Sequence, residues 1–399
     1  MRGISSGVFI FIFVMLLVEI LGYLGMIRLI REKRRKQQMS ILYWLLTAVF
    51  LSFWLTAFLD PEKIRRTSDY GFFYFIFFIS TLNFLPKAVF SVFVIIAGMF
   101  RLFRDKTYSK IILLSGLILS SGLVLTLGYG VAAGKKTIRT EEIKLSVPSL
   151  PARLNGLKIV HISDIHLGGF ENGRFLKRCV DKINRIKPDL ILFTGDMVNN
   201  FYQEMAGFGD ELSMLNAQYG KFAILGNHDY GDYSDWDSPK NKIRNREIIM
   251  QKIRQSGFQL LLNQSEKIDM RDTSFYITGV ENWGHPPFPQ YARLDSALRN
   301  VPENSFRILL THDPAHWQEK VLFETSIPLT LAGHTHGGQS AVKIAGIEFS
   351  PIYLRSKNWG GLYQENNQFL YVNRGLGCVG LPARIDMAPE ITVLTLFRK

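Results

Sequence analysis

Four stretches of the chain are apolar for far longer than a water-facing segment tolerates: residues 7–29, 41–59, 71–100 and 111–132. A helix needs about 20 such residues to cross a hydrocarbon layer of about 30 Å, so each predicts a transmembrane helix. Pro86 and Lys87 interrupt the third stretch, which is long for one span and short for two; the pattern predicts a single tilted, kinked helix. The first run is too long for the apolar core of a cleavable leader, and no small-x-small site follows it, so it is expected to stay as a span.

From residue 133 the pattern changes to mixed and polar. Residues 133–157 read as a linker and a short alternating opening strand, and residues 158–399 as a separate water-facing domain. In that domain the apolar runs KIVHIS (158–163), DLILFT (189–194), KFAIL (221–225), SFYITGV (274–280), FRILLT (306–311) and IPLTLAG (327–333) predict buried strands. Helical patterns lie between several of them, in GRFLKRCVDKINRIKP and from Lys240 to Gln255. Strand and helix in alternation indicate an α/β architecture.

Charge adds an orientation. Of the net +13, much sits beside the apolar segments: Arg31, Lys33, Arg34, Arg35 and Lys36 follow the first, and Arg101, Arg104, Lys106 and Lys110 follow the third, against Lys63, Arg65 and Arg66 after the second. Loops rich in Lys and Arg stay in the cytoplasm, which puts both termini and the large domain on the extracytoplasmic face of the cell membrane. Inside the spans, Glu19 and Lys87 are expected as an interhelical pair or as a snorkelling lysine rather than a transport path. The two cysteines, Cys179 and Cys378, allow neither a disulfide framework nor a thiolate zinc cluster.

The chemistry lies where the predicted strands end. KIVHIS runs into Asp164-Ile165-His166, DLILFT into Gly195-Asp196, KFAIL into Gly226-Asn227-His228-Asp229, FRILLT into His312-Asp313, and IPLTLAG into Gly333-His334-Thr335-His336-Gly337-Gly338-Gln339. In an α/β sheet the carboxyl edge is where sites form. Carboxylates, an amide oxygen and imidazoles are ligands for divalent manganese, iron or zinc. If the backbone leaving each strand stays extended, alternate residues share a side, so Asp164 with His166 and His334 with His336 would each face one metal region.

In this order, DxH, GD, GNHD, an isolated His and GHxH resemble the calcineurin-like metallophosphoesterase superfamily. GHTHGGQ and the closing run YVNRGLGCVGLPARIDMAPEITVLTL are similar to its membrane-associated YkuE-like branch. The resemblance covers about residues 145–399 and implies a four-layer αββα sandwich, here preceded by a bundle of about four transmembrane helices. It also implies two divalent metal ions: Asp164, His166, Asp196 and His336 would hold the first, and Asp196, Asn227, His312 and His334 the second, with Asp196 bridging. His228 would act beside them, with Asp229 fixing its ring by a hydrogen bond. Many members carry an acid three residues after the bridging Asp; here that position is Asn199, which is not a ligand but bears on the surrounding hydrogen bonds.

Two such ions would activate a water and stabilise an in-line displacement at phosphorus. Arg374 and Arg384 would bind substrate phosphate or serve as ion-pair residues, and Trp283 and His285 would rim the pocket or belong to a Pro-rich surface loop. The expected partners are a phosphate ester, lipid-linked or envelope-derived, and the lipid bilayer. No nucleic acid is expected, because the water-facing part shows no interleaving of aromatic and basic residues. A metal-binding sensor or scaffold module is the alternative, and a nuclease ranks behind it.

Overall fold

The computed structural model describes residues 6–59, 70–103, 105–344 and 347–399. Lys63, Arg65, Arg66 and Arg104, which entered the charge argument, lie outside the described residues. The chain divides into two compact units, one built by the N-terminal helices and one by residues from Gly130 onward.

The first unit holds α1 (Ser6–Leu29), α2 (Lys33–Leu59), α3 (Tyr70–Leu102) and α4 (Lys106–Ala132). Three helices among the described residues are long and apolar enough to cross a membrane: Phe9–Leu29, Tyr70–Leu102 and Lys106–Lys136. The other, α2, opens on KRRKQQ and turns apolar only afterwards. Pro86 lies inside α3, which remains one helix of 33 residues. Glu19 is buried on α1, and Lys87 Nζ reaches its two carboxylate oxygens at 2.8 and 3.1 Å; Thr47 and Asn83 donate to the same carboxylate at 2.7 and 3.1 Å. The two intramembrane charges thus form a pair that joins helices, and the buried Glu19 carboxylate accepts from Lys87, Asn83 and Thr47.

The second unit contains strands β1 (Arg139–Val147), β2 (Leu157–Ile162), β3 (Leu190–Phe193), β4 (Lys221–Ala223), β5 (Gln259–Leu260), β6 (Gln264–Met270), β7 (Thr273–Gly279), β8 (Arg307–Leu310), β9 (Leu329–Ala332), β10 (Val342–Ile344), β11 (Ile347–Phe349), β12 (Gly361–Glu365), β13 (Gln368–Val372) and β14 (Glu390–Arg398). One sheet has the order β1-β14-β2-β3-β4-β5 and the other β12-β13-β9-β8-β7-β6, with β10 and β11 as a separate hairpin. All six expected strands are present. The opening strand is longer than expected, nine residues, because β14 pairs with it along its whole length.

Alternation along the strands sorts the chain into layers. Ile159, Leu190 and Leu192 of the first sheet meet Ile277, Ile308, Leu310, Leu329 and Leu331 of the second in a shared core. The set on the opposite face, Val160, Ile162, Ile191 and Phe193, packs instead under two helices, α5 (Arg174–Ile186) and α6 (Pro239–Gln255). On the far side of the second sheet, Leu309, Leu370 and Val372 pack with Leu294, Trp317 and Val321. The result is an αββα sandwich in which β2, β3 and β4 run parallel, as do β7, β8 and β9. Parallel neighbours align their carboxyl ends, so the polar residues that follow them collect at one edge.

Candidate metal centre

Asp196, one residue beyond Gly195 at the end of β3, occupies the middle. Its Oδ2 lies 3.2 Å from His312 Nε2 and 3.5 Å from His166 Nε2, while Oδ1 accepts the backbone N–H of His228 at 2.9 Å. On one side, His166 Nε2 and His336 Nε2 are 3.1 Å apart, and Asp164 Oδ1 is 3.3 Å from His336 Nε2. On the other, Asn227 Oδ1 is 2.8 Å from both His312 Nε2 and His334 Nδ1. Donor atoms fall into three groups, each within 4.8 Å: Asp164, His166 and His336; His166, Asp196 and His228; and Asp196, His312 and His334.

The donor set fits divalent cations. His312 Nδ1 can only donate to the Thr194 carbonyl, 2.7 Å away, which turns Nε2 toward Asp196 and Asn227 as the ring atom that would exchange its proton for an ion. Asp164, His166, Asp196 and His312 are all buried. Burial by itself would raise the Asp196 carboxyl, but the imidazoles of His312, His228 and His166 hold it well below the usual carboxylate range. Burial opposes charge on His312 too, yet the Asp196 carboxylate pushes it up to about 10. Positive charge at the centre is therefore favoured already as a proton, and a divalent ion would occupy the same field in its place.

The backbone route differs from the extended one expected. Asp164, His166, Asp196, His334 and His336 all have positive φ, between 48 and 71°. Each D-x-H and H-x-H pair is gathered by a left-handed turn rather than by strand alternation, at a cost of about 1–3 kcal/mol per residue. Close approach also needs glycine: a Cβ on Gly226 would run into the Asp196 carboxylate, and one on Gly333 into Ser163 and Asp164.

Of the expectations about neighbouring residues, the ring contact of Asp229 and a substrate contact of Arg384 are corrected, while Arg374 and the Trp283–His285 loop take the ion-pair and surface-loop alternatives. Asp229 does not touch the His228 ring. Both belong to a tight turn, His228–Tyr230, whose successive side chains diverge. The Asp229 carboxylate turns inward and accepts the backbone N–H groups of Asp196, Met197, Val198 and Gly226 at 2.9–3.2 Å. His228 Nδ1 donates instead to the Asn199 carbonyl, at 2.7 Å. Arg384 is not open to substrate: it is fully buried, donates to the carbonyls of Gly377 and Met387 at 2.9 and 3.1 Å, and lies 3.3 Å from His336 Nδ1. Arg374 is an ion-pair residue, 2.8 Å from Glu390 and 3.3 Å from Glu348. Trp283 stacks on His316 and donates to Glu319, and His285 lies 3.7 Å from Asp313 and Glu319, so this loop binds its own neighbours.

Two contributors escaped sequence reasoning. Tyr233 stacks on the His228 ring, with centroids 4.3 Å apart, and its hydroxyl accepts from Asn227 Nδ2 at 2.7 Å. Glu204, buried, accepts the N–H groups of Asn199, Asn200 and Phe201 at 2.7–2.8 Å, together with the Asn199 side-chain amide. It thereby fixes the carbonyl that holds His228. For Tyr233 the only signal was its place five residues after His228; for Glu204 there was none.

Comparison with known proteins agrees with this geometry. Residues 157–338 match the family model "Calcineurin-like phosphoesterase", and residues 2–135 match "Probable Calcineurin-like phosphoesterase, transmembrane domain". "Uncharacterized metallophosphoesterase YkuE" of Bacillus subtilis is 34% identical over 67% of this chain and 90% of its own length. "Transmembrane protein with metallophosphoesterase domain" of Danio rerio is 26% identical over 67% of this chain, a match that spans 59% of the fish protein. "Phosphodiesterase YaeI" of Escherichia coli is 30% identical over 60% of this chain and 82% of its own length. With a membrane domain in front and a metal-ligand edge behind, the chain belongs to the calcineurin-like phosphoesterases and is a membrane metallophosphoesterase.

Proposed function

We propose that the chain hydrolyses phosphodiesters at a pair of divalent ions, with residues 1–132 as its membrane anchor, 133–157 as linker and opening strand, and 158–399 as the catalytic domain. What carries the reading is the convergence of donors from five strand ends on Asp196, whose carboxylate contacts both halves of the cluster. Asp164, His166, Asp196 and His336 would hold one ion, and Asp196, Asn227, His312 and His334 the other. When bound, such a pair supplies Lewis acidity, which acidifies water and neutralises charge on the phosphate. Manganese, iron and zinc all suit these donors. The name of the Escherichia coli relative supports diesters over monoesters.

His228 moves the proton. Its Nδ1–H is engaged by the Asn199 carbonyl, so Nε2 is the ring atom able to carry a proton to the departing oxygen. Tyr233, stacked against the ring, keeps that orientation. With manganese, the full-length protein should turn over a chromogenic phosphodiester and stop on chelation. His228→Ala should lower kcat by about 10²–10⁴-fold with bound metal unchanged; metal lost in parallel with activity would remove His228 from this role.

The excess of Lys and Arg after the first and third apolar segments supports an extracytoplasmic catalytic domain. A protease added to intact cells should then cleave a tag placed after Lys399, and protection of that tag would reverse the orientation.

A further inference from the structure

A cavity of about 400 Å³ in the second unit has no part in the reaction just derived. Its rim carries Lys135, Lys136, Arg174 and Arg178, and among the described residues the only carboxylate lining it is Glu171, which pairs with Lys135 at 3.3 Å. Four cations less one anion leave a charge of +3. Arg174 is also the first residue of α5, so the positive end of that helix adds to the attraction for an anion. Beneath the rim the surface turns apolar, with Phe170, Phe175, Leu376 and Pro382.

This pairing of features selects a ligand. A free phosphate needs donors on all sides and gains nothing from an apolar floor. A planar base would have to displace the partners these rings already have: Arg178 lies over Phe175, and Phe170 packs edge-to-face with Phe175, 5.2 Å between centroids, and with Phe208. An anion attached to a hydrocarbon satisfies both levels. The membrane supplies such molecules close by: Lys136 is four residues past Ala132, where α4 ends, so no more than about 14 Å of chain separates them.

We propose that this cavity binds an anionic phospholipid, its phosphate on the Lys and Arg rim and its first methylenes against Phe170, Phe175, Leu376 and Pro382. The floor adjoins the metal ligands: Leu376 N donates to Ser163 O at 3.0 Å and Gly377 N to Asp164 O at 2.7 Å. The lipid is therefore held one loop away from the catalytic cluster. The inference depends on membrane anchorage and not on the metal chemistry, so it stands or falls separately from the proposed reaction.

The test is direct binding. Solubilised full-length protein is titrated into a dye-labelled dihexanoyl phosphatidic acid and anisotropy is read. Wild type should bind, and the lipid without its dye should displace the probe, whereas inorganic phosphate and glycerol 3-phosphate at the same concentration should not. Lys136 and Arg174 are both exposed. The double variant Lys136→Glu/Arg174→Glu should weaken binding by about tenfold or more. Lys136→Gln/Arg174→Gln should give a smaller loss, and it decides the matter if the reversed pair melts early. Undiminished binding by a folded variant overturns the assignment, as does displacement by inorganic phosphate as effective as by lipid. Absence of hydrolysis of a soluble diester by wild type would count against the reaction alone.

Discussion

His228 shows how much of a site depends on residues that never touch substrate. Its ring is held at Nδ1 by the Asn199 carbonyl and on its face by Tyr233, and Asn199 is itself held by a buried Glu204, which accepts its backbone N–H and side-chain amide. The Tyr233 hydroxyl also engages Asn227, whose amide oxygen is a proposed ligand. Removing that hydroxyl while keeping the ring separates the two roles. Tyr233→Phe should weaken metal binding by about 10-fold, since Asn227 loses the partner that orients its amide. Stacking on His228 is preserved, so kcat at saturating manganese should change little. If Tyr233→Phe instead lowers kcat at saturating metal and leaves metal affinity intact, the hydroxyl acts on chemistry rather than on Asn227.

At the scale of elements, legibility followed burial. β2, β3, β8 and β9 are buried along their length and read as continuous apolar runs, and the ligands were found because they stand at the ends of those runs. The edge strands were harder. β6 (QSEKIDM) alternates, but its outward residues are charged and its buried ones few, so the pattern is faint. β12 and β13 meet at a tight hairpin through Asn366 with positive φ, which no hydrophobic period announces. Nor was the left-handed backbone of Asp164, His166, Asp196, His334 and His336 legible, since it is set by neighbouring loops such as 374–377 and not by local preference. β14 lies beyond local reading in another way: it pairs parallel with β1 and antiparallel with β2, joining the two ends of the domain. Proline in its middle tests that joint. Val393→Pro removes a ladder donor between two neighbours and should cost about 3 kcal/mol or more, read as a lower denaturant midpoint of the full-length protein. A midpoint within error of wild type would mean that β14 is an edge in solution.

For the whole sandwich, the layer between the sheets is where pH should act. His161 on β2 is fully buried there, with Tyr371 of the opposite sheet edge-on at 6.2 Å and Thr194 Oγ1 at 2.9 Å from its Nε2. Its Nδ1 has no hydrogen-bond partner. Burial without a counter-charge pushes this imidazole down to about 3, against 6.5 for an ordinary histidine. Between those values the unfolded chain takes up a proton that the folded chain refuses, so stability falls as the pH drops below 6.5 and the loss is complete near 3. Across that window the loss amounts to a few kcal/mol, at roughly 1.4 kcal/mol per pH unit. The proposed ligand imidazoles titrate as well, so the effect is isolated by difference: His161→Gln keeps a polar group for Thr194 and cannot titrate. In chelator-treated full-length protein, the drop in unfolding free energy from pH 7.5 to pH 5 should be smaller for His161→Gln than for wild type by up to about 2 kcal/mol. Parallel curves for the two proteins would mean that acid reaches His161 without opening the sandwich, and that the layer between the sheets is wetter than its packing implies.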